Sequence, residues 1–190
     1  MKTIYLFILF VVLALIQLSV PATMVFNNQS VLNSGTAYKF KTRPIDPTDP
    51  FRGKYITLSF DMNKAKTTDT IWENNSDIYV YLKTDSLGYA AVKTVSPFKI
   101  NTDDDFVIAQ TYGYYQKSNI IKFMLPFKRF YMEESKAYQA EVAYRKASRQ
   151  ALVNNTYALV YVKNGYSVLE DVFINDVPIG TYVDLQKSPD

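Results

Sequence analysis

The sequence predicts a mainly β domain with one helix, an α+β fold whose antiparallel hairpins form a sandwich or open barrel behind an N-terminal transmembrane or signal segment. Three observations predict it. Aromatic residues make up 15% of the 190 residues, with 16 Tyr and 12 Phe, and such side chains favour pleated, half-buried surfaces. Successive stretches after residue 55 alternate apolar and polar residues with the period of a strand. The first 26 residues carry a single charge, Lys2, ahead of the charge-free apolar run Ile4–Val20.

That run reaches the length of a membrane helix, and Pro21 to Phe26 could extend it. A cleaved signal peptide is the competing reading, with Val20-Pro21-Ala22 as a weak processing site. The length favours an uncleaved anchor. Pro21 is expected to end or kink the helix near the membrane interface. Lys2 favours an inside N-terminus, which puts the remainder on the extracytoplasmic side of a single-pass chain. The organisation is therefore an anchor or signal segment over residues 1–26 and one β-rich domain over 27–190, a size that supports a real core.

Elements of that domain follow in order. Asn27–Lys41 is a polar approach ending in a short alternating strand at Tyr38–Lys41. Arg43–Pro50 carries three prolines and reads as a stiff, irregular lead-in. Tyr55–Met62 alternates, with Ile56, Leu58, Phe60 and Met62 toward the core. Lys64–Thr70 is a polar loop. Asp77–Lys83 pairs with Tyr89–Val95 across Asp85–Gly88, and Phe106–Tyr112 pairs with Asn119–Leu125. Glu133–Gln150 changes to a helical period, with Ala137, Ala140, Tyr144 and Ala147 on one face and charges placed to suit the helix dipole. Tyr157–Lys163 and Tyr166–Ile174 flank Asn164-Gly165, which suits a type I′ turn. A two-residue loop sets Val160 opposite Leu169 and Tyr161 opposite Val168, with Phe173 sharing the face of Val160 and Leu169, and Val172 that of Tyr161 and Val168. Both faces of this hairpin are apolar, so both need cover, and the helix is the natural one.

The chemistry available is narrow. The chain has no Cys and no His. That removes disulfides, a lipid-modified cysteine, Ser-His-Asp and Cys-His catalysis, and the common zinc sites. A net charge of +3 without a basic cluster gives no footprint for nucleic acid. The acidic loop Asn101–Asp105 lacks the Gly and distant Glu of a calcium loop and reads as solvated. Asp69, Glu73, Asp77 and Glu170 are candidate carboxylates for glycan hydrolysis, though no spacing singles out two. Trp72 with Tyr112, Tyr114 and Tyr115 could stack on sugar or peptide, but more often such residues pack strands.

The segment Asp46–Phe60, DPTDPFRGKYITLSF, resembles the GDYXXLXY family of bacterial proteins. Asp46, Pro47, Asp49, Phe51, Arg52, Gly53, Tyr55 and Leu58 fit its pattern. Lys54 stands where the family has Asp, and Phe60 where it has Tyr. The likeness extends through Phe123–Glu134 and Tyr157–Pro178. It implies a membrane-anchored extracytoplasmic, periplasmic-type domain that keeps company with multi-pass membrane proteins, with no established activity. The motif residues Asp46, Asp49, Arg52, Gly53, Tyr55, Leu58 and Phe60 read as turn and core chemistry rather than a site. The functional expectation is a non-enzymatic interaction or accessory domain, without cofactor or metal, serving an integral membrane partner. The alternatives are a cell-envelope glycan hydrolase using paired carboxylates and a carbohydrate- or peptide-binding module.

Overall fold

The computed structural model describes residues 2–43, 55–150 and 155–187. Among them the chain is mainly β, with helices at both ends and one between. Helix α1 (Lys2–Ser34) leads into β1 (Thr36–Lys41), β2 (Tyr55–Thr57), β3 (Lys64–Lys66), β4 (Asp77–Thr84), β5 (Ala90–Ser96) and β6 (Phe106–Tyr115). A single 3-10 turn at Gln116–Ser118 precedes β7 (Ile120–Met124) and β8 (Arg129–Tyr131). Then come α2 (Glu134–Arg149), β9 (Thr156–Lys163), β10 (Tyr166–Ile174), β11 (Val177–Pro178) and α3 (Ile179–Lys187).

Two antiparallel sheets dominate, ordered β1-β9-β10-β11 and β3-β7-β6-β4-β5, with β2-β8 as a small third. Isolated bridges Lys39–Tyr89 and Val107–Gly165 stitch the large sheets at two corners, giving a nearly closed barrel. Residues that alternate inward from every wall fill it. Phe40, Ile56, Ile78, Val80, Val107, Ile121, Phe123, Val160 and Val162 are all sealed from solvent. This is the expected α+β class, and the expected hairpins β4–β5, β6–β7 and β9–β10 are all present.

Several local expectations are corrected. Pro21 does not end α1, which continues through it to Ser34; a proline removes one hydrogen bond, but the flanking turns carry the helix on. The Tyr55–Met62 strand is a continuous ladder only over Tyr55–Thr57, with one further isolated bridge from Phe60 to Thr42. Leu58 and Phe60 still face inward as expected, because the chain stays extended. Lys64–Lys66, expected as loop, is an edge strand on β7.

In the last hairpin Leu169 faces Val160 and Val168 faces Tyr161, as the turn demands. A bulge at Glu170 then shifts the register. One extra residue inverts the parity of everything after it, so Val172 is buried opposite Ala158. Phe173 lies outside, stacked on Tyr157 at 5.0 Å between ring centroids. Cover for this hairpin comes from the last turns of α1 and from α3, with α2 also touching β9. Helix α3 was not anticipated; Ile179 and Val183 anchor it in the core.

The α1–β1 junction is tight. Val31 is 3% exposed. Lys163 Nζ donates to Ser30 Oγ at 3.0 Å and Ser34 Oγ at 2.7 Å, fastening the last helical turn to the hairpin. Gly35 turns the chain at once into β1. Its N–H donates to the Val31 carbonyl at 2.8 Å, and a β-carbon there would stand 3.0 Å from the Val162 carbonyl oxygen.

Two buried tyrosines carry opposite obligations. The Tyr81 hydroxyl accepts from Ile100 N–H at 2.6 Å and donates to the Ile100 carbonyl at 3.3 Å. The Tyr144 hydroxyl, sealed near Thr42, Ser59 and Ser148, makes no well-formed hydrogen bond, and burial pushes its pKa up to about 12. Tyr81→Phe is therefore expected to cost about 1–2 kcal/mol, since it strands a backbone donor. Tyr144→Phe should leave the protein no less stable than wild type. Urea unfolding of the two variants side by side checks the contrast.

Candidate functional site

The segment after β2 is sewn into place from both sides. Arg43 N–H donates to the Ser59 carbonyl at 2.9 Å and Asp61 N–H to the Lys41 carbonyl at 3.1 Å. Leu58 N–H donates to the Lys128 carbonyl at 2.8 Å, and Phe123 N–H to the Asn63 carbonyl at 3.0 Å. Residues 58–63 therefore bridge the end of β1 to β7 and the β7–β8 connection. Phe60 sits edge-on to Phe40 and Phe127, at 6.0 and 5.3 Å between centroids, the preferred geometry for packed rings.

Above this cluster opens a pocket of about 230 Å³. Leu58, Phe60, Phe123 and Leu125 contribute apolar lining; Arg43, Ser59, Asn63, Tyr112 and Lys128 supply the polar groups. Arg43 is held as a fork. Its Nε donates to Ser59 Oγ at 2.7 Å. With the Asn63 amide oxygen turned toward it, both terminal nitrogens donate there, at 2.9 and 3.0 Å. Lys128 makes no hydrogen bond or ion pair through its side chain among the described residues. It stands where this pocket meets a second depression of about 480 Å³ that runs to Gly165–Ser167, beside Asp77 and Gln110.

Two cations over an apolar floor, with no carboxylate among the described lining residues, form an arrangement for binding. The volume lies below that of most pockets for drug-sized ligands.

The other sequence candidates disperse. In the acidic loop, both Asp104 oxygens accept from Lys93 Nζ at 2.7 Å, and Thr102 also donates to Asp104. These donors hold the Asp104 carboxyl below its ordinary range. Asp105 accepts from the Tyr38 hydroxyl at 3.1 Å. Asp69 and Asp77 border separate depressions, and Glu170 occupies the β10 bulge. Trp72 packs with Tyr114 against the core. Tyr115 lies under Lys122, which donates to its hydroxyl at 3.0 Å, while Tyr112 borders the Arg43 pocket. The four aromatics thus form no common platform.

Of the motif residues, Asp46, Asp49, Arg52 and Gly53 lie outside the described residues, as do Pro47, Phe51 and Lys54. Tyr55 is half-buried at the surface, its ring 5.5 Å from that of Tyr131 and 4.9 Å below the Arg129 guanidinium. Leu58 and Phe60 are 3% and 5% exposed. Sequence reasoning missed Arg43, Asn63 and Lys128 as pocket residues. No spacing announces them, because their partners meet only across strands.

A model of the GDYXXLXY protein family matches residues 17–172. The chain belongs to the GDYXXLXY family. The match opens inside α1 and closes in β10, so the GDYXXLXY region takes in the helix–barrel junction, the five-stranded sheet, β1, β9 and most of β10, and the whole Arg43 pocket. Helix α3 and β11 lie beyond it. In this GDYXXLXY protein the motif's Leu58 and Phe60 serve the core and form part of the pocket wall. No curated protein and no solved structure matches the chain.

Proposed function

We propose that this protein is a single-pass, membrane-anchored accessory domain that works with an integral membrane partner on the extracytoplasmic side. One observation carries the reading: a long apolar helix left uncovered by the domain, yet locked to it at the last turn. α1 is long and apolar enough to cross a membrane, and none of its most apolar stretch is covered by the barrel. Ile4, Leu6, Phe7, Leu9, Phe10 and Phe26 are more than half exposed, which in water would be a severe liability. At 1.5 Å per residue, Ile4–Phe26 is ~35 Å long, enough for a hydrocarbon core of about 30 Å.

Asn27–Ser34 then continues as a helical stalk, and the Gly35 junction holds the barrel close to the bilayer surface. A domain so held can present one fixed face to a neighbour in the same membrane. The dispersal of the described carboxylates and tyrosines weighs against the hydrolase and sugar-binding readings. Company with multi-pass proteins is the family's habit and supports the partner by analogy alone.

Cross-linking of the full chain in native membranes, followed by mass spectrometry, tests the proposal. The expected result is a reproducible integral membrane protein bound to the barrel. Recovery of no membrane protein, together with turnover of a glycan by the purified chain, would reject it.

A further inference from the structure

We infer that α1 pairs in the membrane with a second copy of itself, held by Gln17. The inference rests on the reading of α1 as a membrane span. Gln17 lies deep in the apolar stretch, ~20 Å along the axis from Ile4 and ~14 Å from Phe26. Its side chain is exposed and makes no hydrogen bond to another described residue. The two polar residues that flank it toward the barrel satisfy themselves. Ser19 Oγ donates to the Ile16 carbonyl at 2.7 Å, and Thr23 Oγ1 to the Val20 carbonyl at 2.8 Å.

An amide with two N–H donors and one acceptor oxygen has more to satisfy. Pro21 adds to the deficit. It has no N–H to give, so the Gln17 carbonyl four residues earlier loses its intrahelical donor. One position thus exposes two donors and two acceptors at a depth where lipid satisfies none of them.

A second copy fits this deficit. Copies inserted with the same topology lie parallel, so each places Gln17 at the same depth. The count then closes: each amide's two N–H groups meet the partner's Oε1 and the carbonyl freed by Pro21. Phe10, Ala14, Gln17, Pro21 and Met24 share one stripe of the helix, and the small Ala14 beside Gln17 lets backbones approach. The span is free of charge, and the barrel covers none of its most apolar stretch.

The chain's lack of cysteine makes the test clean. Single cysteines are introduced into the full-length chain, which is then oxidised in native membranes and checked for resistance to alkaline extraction. Disulfide-linked dimer is expected at Phe10→Cys, Ala14→Cys and Met24→Cys, and little at Leu15→Cys and Ser19→Cys on the opposite face. Adding Gln17→Leu to Ala14→Cys should weaken association about tenfold, while Gln17→Asn keeps most of it. No dimer, equal dimer on both faces, or indifference to Gln17→Leu would overturn the inference. So would a Gln17-dependent link to a different protein without self-linking. Release of the chain by alkali would instead overturn the membrane span itself, and this pairing with it.

Discussion

Gly165→Val is expected to destabilise the protein by about 3–5 kcal/mol, a large part of a typical domain's margin. Two independent costs add. Gly165 has φ +86°, after Asn164 at +52°, the left-handed pair a type I′ turn requires. A β-branched residue resists that conformation more than any other class, and even a simple L-residue loses about 1–2 kcal/mol there. The second cost is steric. A β-carbon on Gly165 would stand 2.5 Å from Phe106 Cε2, and Phe106 is itself buried at the wall of the barrel. Overpacking of this kind typically costs about 1–3 kcal/mol. Gly165 also bridges to Val107, so the damage falls on a corner joining the two sheets. Urea unfolding of the full chain in detergent measures the loss. Asn164→Gly, which keeps the turn and relieves the strain at the first position, should stay within about 1 kcal/mol of wild type.

Gly35→Val is the second large effect, and its consequence reaches further. The added β-carbon would stand 2.5 Å from the Val31 carbonyl oxygen and 3.0 Å from that of Val162. Both obstacles are backbone, which cannot swing aside as a side chain tip can. The last turn of α1 must therefore lift from the β9–β10 hairpin, breaking the Lys163 contacts to Ser30 and Ser34 and exposing Val31. The expected cost is about 2–4 kcal/mol. More telling is its location: the barrel should keep its fold while losing its fixed attitude to the helix. Protease sensitivity should rise between Asn27 and Lys41 with little change elsewhere, and cross-linking to the proposed membrane partner should fall with it. Loss of structure throughout the barrel would instead mean that the junction is part of the folding core.

Much of the architecture could be read from local chemistry. The Asn164-Gly165 pair set a hairpin whose register follows residue by residue as far as Leu169. Alternation placed Ile56, Leu58 and Phe60 inward even though the continuous ladder covers only Tyr55–Thr57, because facing depends on extended geometry and not on a ladder. Reading failed where one residue changes parity: nothing in Leu169-Glu170-Asp171 advertises a bulge, so Val172 and Phe173 exchanged faces. It failed at α3, where Ile179, Tyr182 and Val183 do have helical spacing, but the segment is short and follows a proline. It failed most at the pocket. Arg43, Asn63 and Lys128 come from separate segments, and the fork that Ser59 and Asn63 make around Arg43 exists only after the segment beyond β2 is sewn to β1 and β7.

On the proposed reading, a folded barrel is held outside the cytoplasm on an intact α1. Ser86 lies exposed in the β4–β5 turn, and a cysteine placed there would be the chain's only thiol. Treating intact spheroplasts that carry Ser86→Cys with a membrane-impermeant maleimide, and sizing the labelled chain in the alkali-resistant membrane fraction, measures both parts at once. Full labelling before lysis is expected, on a chain that retains its N-terminus. Labelling only after lysis, or a labelled chain shortened to begin beyond Val20 and free in the soluble fraction, would contradict it.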